Sequence, residues 1–153
     1  MKLKAIYTEL IKSYLDQKID NRIWTYGEDS DNVYLIQHGC ALWIIPKYCY
    51  PFDNERVFAM SRIQDPKMFI KTAYDWFELE LTPGTIQEGK QKLRLLKSEK
   101  FDTYVDNNYF KHLDPGTTFR AIDRRSPVFC FEEETLVAMI MPFARKQGGE
   151  MDE

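Results

Sequence analysis

Apolar and polar positions follow one another in short runs along most of this chain, and two of the runs read alike. "NVYLIQHGCALWIIP" (32–46) is an apolar strand, a polar break and a second apolar strand closed by a proline. "PVFCFEEETLVAMIMPF" (127–143) repeats that pattern in the last third. Apolar runs of this length bounded by turn residues predict strands. The closing prolines cannot donate to a ladder, so each marks where its strand stops.

Before the first run, "KAIYTELIKSYLD" (4–16) puts Ile6, Leu10, Ile11, Tyr14 and Leu15 on one stripe, with Lys4, Glu9, Lys12 and Asp16 largely elsewhere. That spacing predicts an amphipathic helix. "RIWTYG" then reads as a strand, and Gly27 with "EDSDN" as a polar turn. Before the second run, "FDTYVD" reads as a strand and "NNYFKHL" as a short helix capped by Asp106 or Asn107, followed by the strand "TTFRAIDR". Between the two regions, residues 47–76 predict two short helices split near Asp65-Pro66, the second carrying Met68, Phe69, Ala73 and Trp76. "FELEL" alternates as a strand, "TPGT" fits a type II turn, and "QKLRLLKSEKF" continues as a basic strand.

The order is helix–strand–strand–strand, then strand–helix–strand–strand–strand. It predicts an α+β domain made by internal duplication, helices on one face and sheet on the other. The domain is expected over 1–146: a first repeat over about 1–50, a connecting region over 51–90 and a second repeat over about 91–146, with a flexible tail at 147–153.

This pattern resembles a domain of the DNA sliding clamp family, the beta subunit of DNA polymerase III. The resemblance is carried by "FDTYVDNNYFKHL", "TTFRAIDRRSPVFCF" and "TLVAMIMPF", with Ser126-Pro127-Val128 and Met141-Pro142 at the family's strand ends. It implies a clamp-like domain of two βαβββ-type repeats, of the small single-domain kind encoded by phages and mobile elements. The middle segment "ELTPGTIQEGKQKLRL" is unlike a clamp, and the chain has the length of one domain, not of a whole clamp subunit.

Composition narrows this picture. A chain of 153 residues with 44% apolar and 14% aromatic residues can bury a sizeable core without a metal or disulfide staple. Its net charge of -3 argues against a wholly basic nucleic-acid binder, though not against a local basic stripe. The cysteines Cys40, Cys49 and Cys130 form no CxxC, and Cys40 and Cys130 sit in apolar runs, so reduced core thiols are expected. The polar start and the lack of a long apolar run predict a cytoplasmic protein.

Candidate chemistry is sparse. His38-Gly39-Cys40 has too few companions for a zinc site, and "GEDSDN" lacks the calcium-loop pattern. Glu132, Glu133 and Glu134 are adjacent at a turn and so should be solvated. No nucleophile elbow, P-loop or dinucleotide fingerprint occurs, so neither an enzyme nor a cofactor is expected. The densest positive patch is Lys90, Lys92, Arg94, Lys97 and Lys100, to which Lys12 of the helix can add. By alternation Lys92 and Arg94 share a face apart from Leu93 and Leu95. The strand is either a solubilising edge or a contact for nucleic acid or an acidic partner. Tyr48, Tyr50, Phe52, Trp76 and Phe77 are either interface anchors or a roof over the core.

The expected function is a non-enzymatic binding protein acting in a DNA transaction through protein or DNA contacts, oligomerisation being open. The alternative is an inhibitor of a host defence nuclease, anti-CRISPR-like, that occludes a surface.

Overall fold

The computed structural model describes residues 1–15, 24–58, 60–65 and 76–143. Its first element is helix α1 (Leu3–Leu15), followed by strands β1 (Trp24–Glu28), β2 (Asn32–Gln37) and β3 (Ala41–Pro46). A 3-10 turn (Lys47–Cys49), the four-residue helix α2 (Asn54–Val57) and the two-residue strand β4 (Ser61–Arg62) come next. The remaining elements are β5 (Phe77–Glu88), β6 (Gln91–Lys97), β7 (Asp102–Asp106), a 3-10 helix (Asn107–His112), β8 (Thr118–Ala121), β9 (Val128–Glu132) and β10 (Thr135–Ile140). The fold is mixed α+β, as the pattern predicted, with one ten-stranded sheet in the order β4-β1-β2-β3-β10-β9-β8-β5-β6-β7. Every pairing is antiparallel except that of β1 with β4.

The central strands read as continuous apolar runs because both of their faces are buried. Val33 and Leu35 of β2, Val128 and Cys130 of β9, and Ala138 and Ile140 of β10 join Ile6 and Leu10 of α1 in the main core. Their alternates, Tyr34, Ile36, Phe129, Phe131 and Met139, form a second apolar cluster with Leu42. Period-two geometry sends successive side chains to opposite faces, so a strand covered on both sides needs apolar residues throughout. α1 and the 3-10 helix lie side by side over the main core: Lys2 N donates to His112 O at 2.8 Å, and Lys111 Nζ reaches Glu9 Oε2 at 3.5 Å. Asp106 caps the 3-10 helix by accepting from Asn108 N, as its position predicted.

Two hairpins close the sheet centre in the same way. Between β2 and β3, His38 (φ 54) and Gly39 (φ 69) are left-handed; between β9 and β10, Glu133 (φ 49) and Glu134 (φ 65) are. Consecutive positive φ values belong to the turns whose twist suits a hairpin. At the second turn Glu134 is held by Arg120 at 2.7 Å, and Glu132 receives the Met1 amine together with Asp114. Glu133 and Glu134 are exposed, as expected of this turn, and Glu132 is half-buried against the Met1 amine.

Several expectations are corrected. "TPGT" is not a turn: Thr82, Pro83 and Gly84 lie within β5, where the register with β6 slips between Leu81 and Thr85. The extra residues form a bulge that lets β5 leave β8, which it pairs through Phe77–Leu79, and run on with β6. The hairpin turn falls instead at Gly89, with φ +61. The connecting region 51–90 thus supplies two strands of the sheet. Cys40 is exposed in the β2–β3 turn and is not a core thiol, whereas Cys130 is fully buried. The first helix expected in 47–76 is reduced to the 3-10 turn and α2, whose N-cap Asp53 accepts from Glu55 N and Arg56 N. The second, with Met68, Phe69 and Ala73, lies outside the described residues, as does the tail. No described helix is long and apolar enough to cross a membrane.

Candidate interaction surface

The basic stripe maps onto the β5–β6 hairpin and the loop after it. Lys90 is exposed beside the Gly89 turn, and Lys92 is exposed opposite Gln87. Lys97 is exposed between Glu80 on β5 and Asp102 on β7, cross-strand neighbours of opposite charge that cancel much of its field. Lys100 is exposed in a loop pinned by the Ser98 hydroxyl, which accepts from the Lys100 and Phe101 amides. Lys12 is exposed on α1, on a different element from the others.

Arg94 departs from the expected outward face. It alternates with Leu93 and Leu95 but shares its face with Leu96, opposite Val105 and Thr103 of β7, and Leu96 and Val105 belong to the main core. Its Nε donates to Asn107 Oδ1 at 3.1 Å and its Nη1 to Thr82 O at 3.4 Å, with the guanidinium 5.7 Å from the Phe110 ring centre. One side chain thus ties the β5 bulge, β6 and the 3-10 helix together. β6 lies between β5 and β7, so it is not an edge strand. Arg94→Ala is expected to cost about 1–2 kcal/mol, from two charge-assisted bonds at a half-buried site. Lys92→Glu should stay within about 0.5 kcal/mol of the parent. Urea unfolding of both variants checks this.

The aromatic candidates separate into two places. Tyr50 and Phe52 are half-buried and pack edge-on with Tyr7, at 5.8 and 5.2 Å, roofing the main core beside α1. Tyr48 is 90% exposed and packs on none of these rings, the one member free to anchor a partner. Trp76 lies on the opposite sheet face, stacked on Phe129 and Phe131 at 5.4 and 5.3 Å, with the Arg120 guanidinium 5.7 Å from its ring centre. Phe77 packs edge-on against Phe101 at 5.8 Å.

A cleft of about 440 Å³ is lined by Tyr26, Glu28, Lys47, Tyr50, Asp53 and Arg62, among others, so the chain on either side of Tyr48 contributes to its wall. Sequence reasoning did not single it out, because its walls come from β1, the 3-10 turn, α2 and β4, which only the fold gathers. The capping sequence "DNER" was the one local signal. Tyr26 donates to Glu55 Oε1 at 2.7 Å, Tyr50 donates to Asn54 Oδ1, and Arg62 Nη2 stands 3.8 Å from Glu28 Oε1. Burial, helped by the Glu55 carboxylate, pushes the Tyr26 phenol up to about 12, and burial pushes that of Tyr50 up as well. Both phenols stay neutral near pH 7 and serve as donors, not bases. Among the described residues no group of three or more His, Cys, Asp or Glu side chains converges as a metal site. Comparison with family models, with curated proteins and with solved structures gives no match to this chain.

Proposed function

We propose that the chain is a clamp-like, non-enzymatic binding protein of a phage or mobile element, acting in a DNA transaction through its surface. The observation that carries this reading is the strand order β1-β2-β3-β10-β9-β8, which maps onto itself when the first three strands are exchanged with the last three. The helical segments preceding β1 and β8 lie together on one face of that array. Two three-stranded units joined through β3 and β10, each with its helix on the same side, are what a fused duplication would build. One feature departs from a βαβββ repeat: β7, the leading strand of the second unit, is held by β6, and no described strand precedes α1.

The surface favours a protein partner over direct DNA contact. Sequence-independent binding needs several free cations to neutralise phosphates. Arg94 is engaged and Lys97 is flanked by acids, which leaves Lys90, Lys92 and Lys100 of the stripe, with Lys12 on another element, on a chain of net charge -3. Exposed Tyr48, on the 3-10 turn whose Lys47 lines a cleft of mixed charge, has the make-up of an interface anchor. The same acidic walls, Glu28, Asp53 and Glu55, suit the basic nucleic-acid groove of a nuclease, which is the observation behind the inhibitor reading.

The test uses the full chain, and its Tyr48→Ala variant, as bait in extracts of the host, alongside DNA retardation at about 50 mM and about 200 mM salt. Capture of a replication protein that is lost in Tyr48→Ala supports the clamp-like reading. Capture of a nuclease whose activity falls supports the inhibitor. Salt-sensitive DNA binding that Lys90→Glu and Lys92→Glu abolish would shift the partner to DNA. Strong turnover of a nucleic acid by the chain alone would overturn the non-enzymatic reading.

A further inference from the structure

The pairing of β3 with β10 places the sulfur-bearing residues Met139 and Met141 against the segment that carries Cys40. Ile140 faces Ala41 and Met139 faces Leu42 in that ladder. Met141 N donates to Cys40 O at 2.7 Å, which carries the pairing one residue further. Side chains of directly opposed residues stand on the same face, with Cβ atoms about 5 Å apart. Residues two apart on one strand share that face as well. Cys40, Met139 and Met141 accordingly line one cleft of about 230 Å³, walled otherwise by Thr25, Ile36 and Leu42 among others. Cys40 is exposed, Met141 is 45% exposed and Met139 is 5% exposed, so the donors run from the mouth of the cleft to its floor.

We propose that this cleft binds a soft monovalent metal ion, Cu(I) or a chemical equivalent such as Ag(I), through the Cys40 thiolate and the Met139 and Met141 thioethers. Thiolate and thioether ligands select soft ions, while zinc, calcium and magnesium call for nitrogen or oxygen partners. The remaining walls are largely apolar, so they supply few oxygen or nitrogen donors for a harder ion. Binding through sulfur displaces the Cys40 thiol proton to solvent. The ion would bridge the first and last thirds of the chain at the β3–β10 seam. It would thereby stabilise the folded state by mass action, since the unfolded chain does not hold the three donors together.

The test titrates the reduced, metal-free chain with Cu(I) under anaerobic conditions against a colorimetric Cu(I) chelator, following melting temperature in parallel. The expected result is one Cu(I) taken per chain, an all-sulfur first shell by X-ray absorption, and a raised melting temperature. Cys40→Ser should abolish the uptake. Met139→Leu with Met141→Leu keeps the cleft volume. It should weaken binding by more than the roughly tenfold that losing an outer partner of a metal ligand costs. The proposal is overturned if the chelator retains all the copper. It is equally overturned if the double methionine variant binds as tightly as the parent, which would mark a simple thiol adduct, or if uptake follows Cys49→Ser and not Cys40→Ser.

Discussion

Trp43→Ala is expected to lose about 4–5 kcal/mol of stability, which for a domain holding only about 5–15 kcal/mol approaches unfolding at ordinary temperature. Trp43 is fully buried in the middle of β3, paired with Leu35 of β2 on one side and Ala138 of β10 on the other. Its ring meets His112 edge-on at 5.2 Å and lies 6.3 Å from Tyr109, so it joins the sheet seam to the 3-10 helix above. Truncation removes the largest apolar contribution at the seam and leaves a cavity that two ladders and a helix cannot close. It also strands Gln37, 3% exposed, whose Oε1 accepts from Trp43 Nε1 at 3.0 Å. The two losses can be separated. Trp43→Phe keeps most of the ring and removes the donor, so it should cost about 1–3 kcal/mol, the desolvation penalty of an orphaned buried acceptor. Adding Gln37→Leu to Trp43→Phe should restore part of that loss. Urea midpoints for the three variants and the parent measure it, and a double variant no better than Trp43→Phe would show that packing alone accounts for the effect.

The parts of the fold built from local signals were legible in the sequence. The strands 32–46 and 127–143 are read correctly because continuous apolar runs with hairpin residues between them leave few alternatives. Their joining through β3 and β10 was not legible, since nothing in either run names the other as its neighbour. The same gap hid the sulfur cleft: Cys40 and Met141 are adjacent in space through that one pairing. Pro83 and Gly84 misled for a different reason, because the residues that favour a turn also favour a bulge, and Gly89 a few positions later offers an equally good turn. The basic strand shows the limit of periodicity. Leu93, Leu95 and Leu96 leave apolar residues on both faces, so alternation separates two faces but does not say which one meets the core, and Arg94 proves to be on the covered side.

The aromatic clusters failed to distinguish anchor from roof for a related cause. A tyrosine or tryptophan is amphipathic and serves in either setting, and only the cover laid over it decides. α1 supplies Tyr7 against Tyr50 and Phe52, whereas Tyr48 is 90% exposed and stacks on no ring among the described residues. The functional reading shifts with this. A stripe of five cations on one exposed strand would have pointed to DNA, but the fold removes Arg94 from that stripe and places acids beside Lys97. What remains exposed and capable of anchoring is the Tyr48 side chain, on a turn that helps wall a cleft.

His112 should make the protein lose stability as acid is added, well before most carboxylates titrate. The ring is 1% exposed, set edge-on to Trp43, and its Nδ1 has no hydrogen-bond partner among the described residues. Burial lowers its pKa from 6.5 to about 4; the neighbouring Lys111 charge works the same way, against a smaller opposing pull from Glu9. The folded chain therefore keeps His112 neutral where the unfolded chain binds a proton. A group whose pKa is depressed on folding contributes its full stability above the unfolded value, and that contribution drains away as pH falls toward the folded value. The window runs from about pH 6.5 down to about pH 4. The loss across it is about 2–3 kcal/mol, after allowing for partial relaxation around the ring. His112→Phe removes the titration while keeping an aromatic ring in place. Whatever its absolute stability, the slope of its unfolding free energy against pH across this window should be nearly flat where that of the parent is steep. Equal slopes in the two proteins would assign the acid sensitivity to other groups and show that His112 takes up its proton without opening the core.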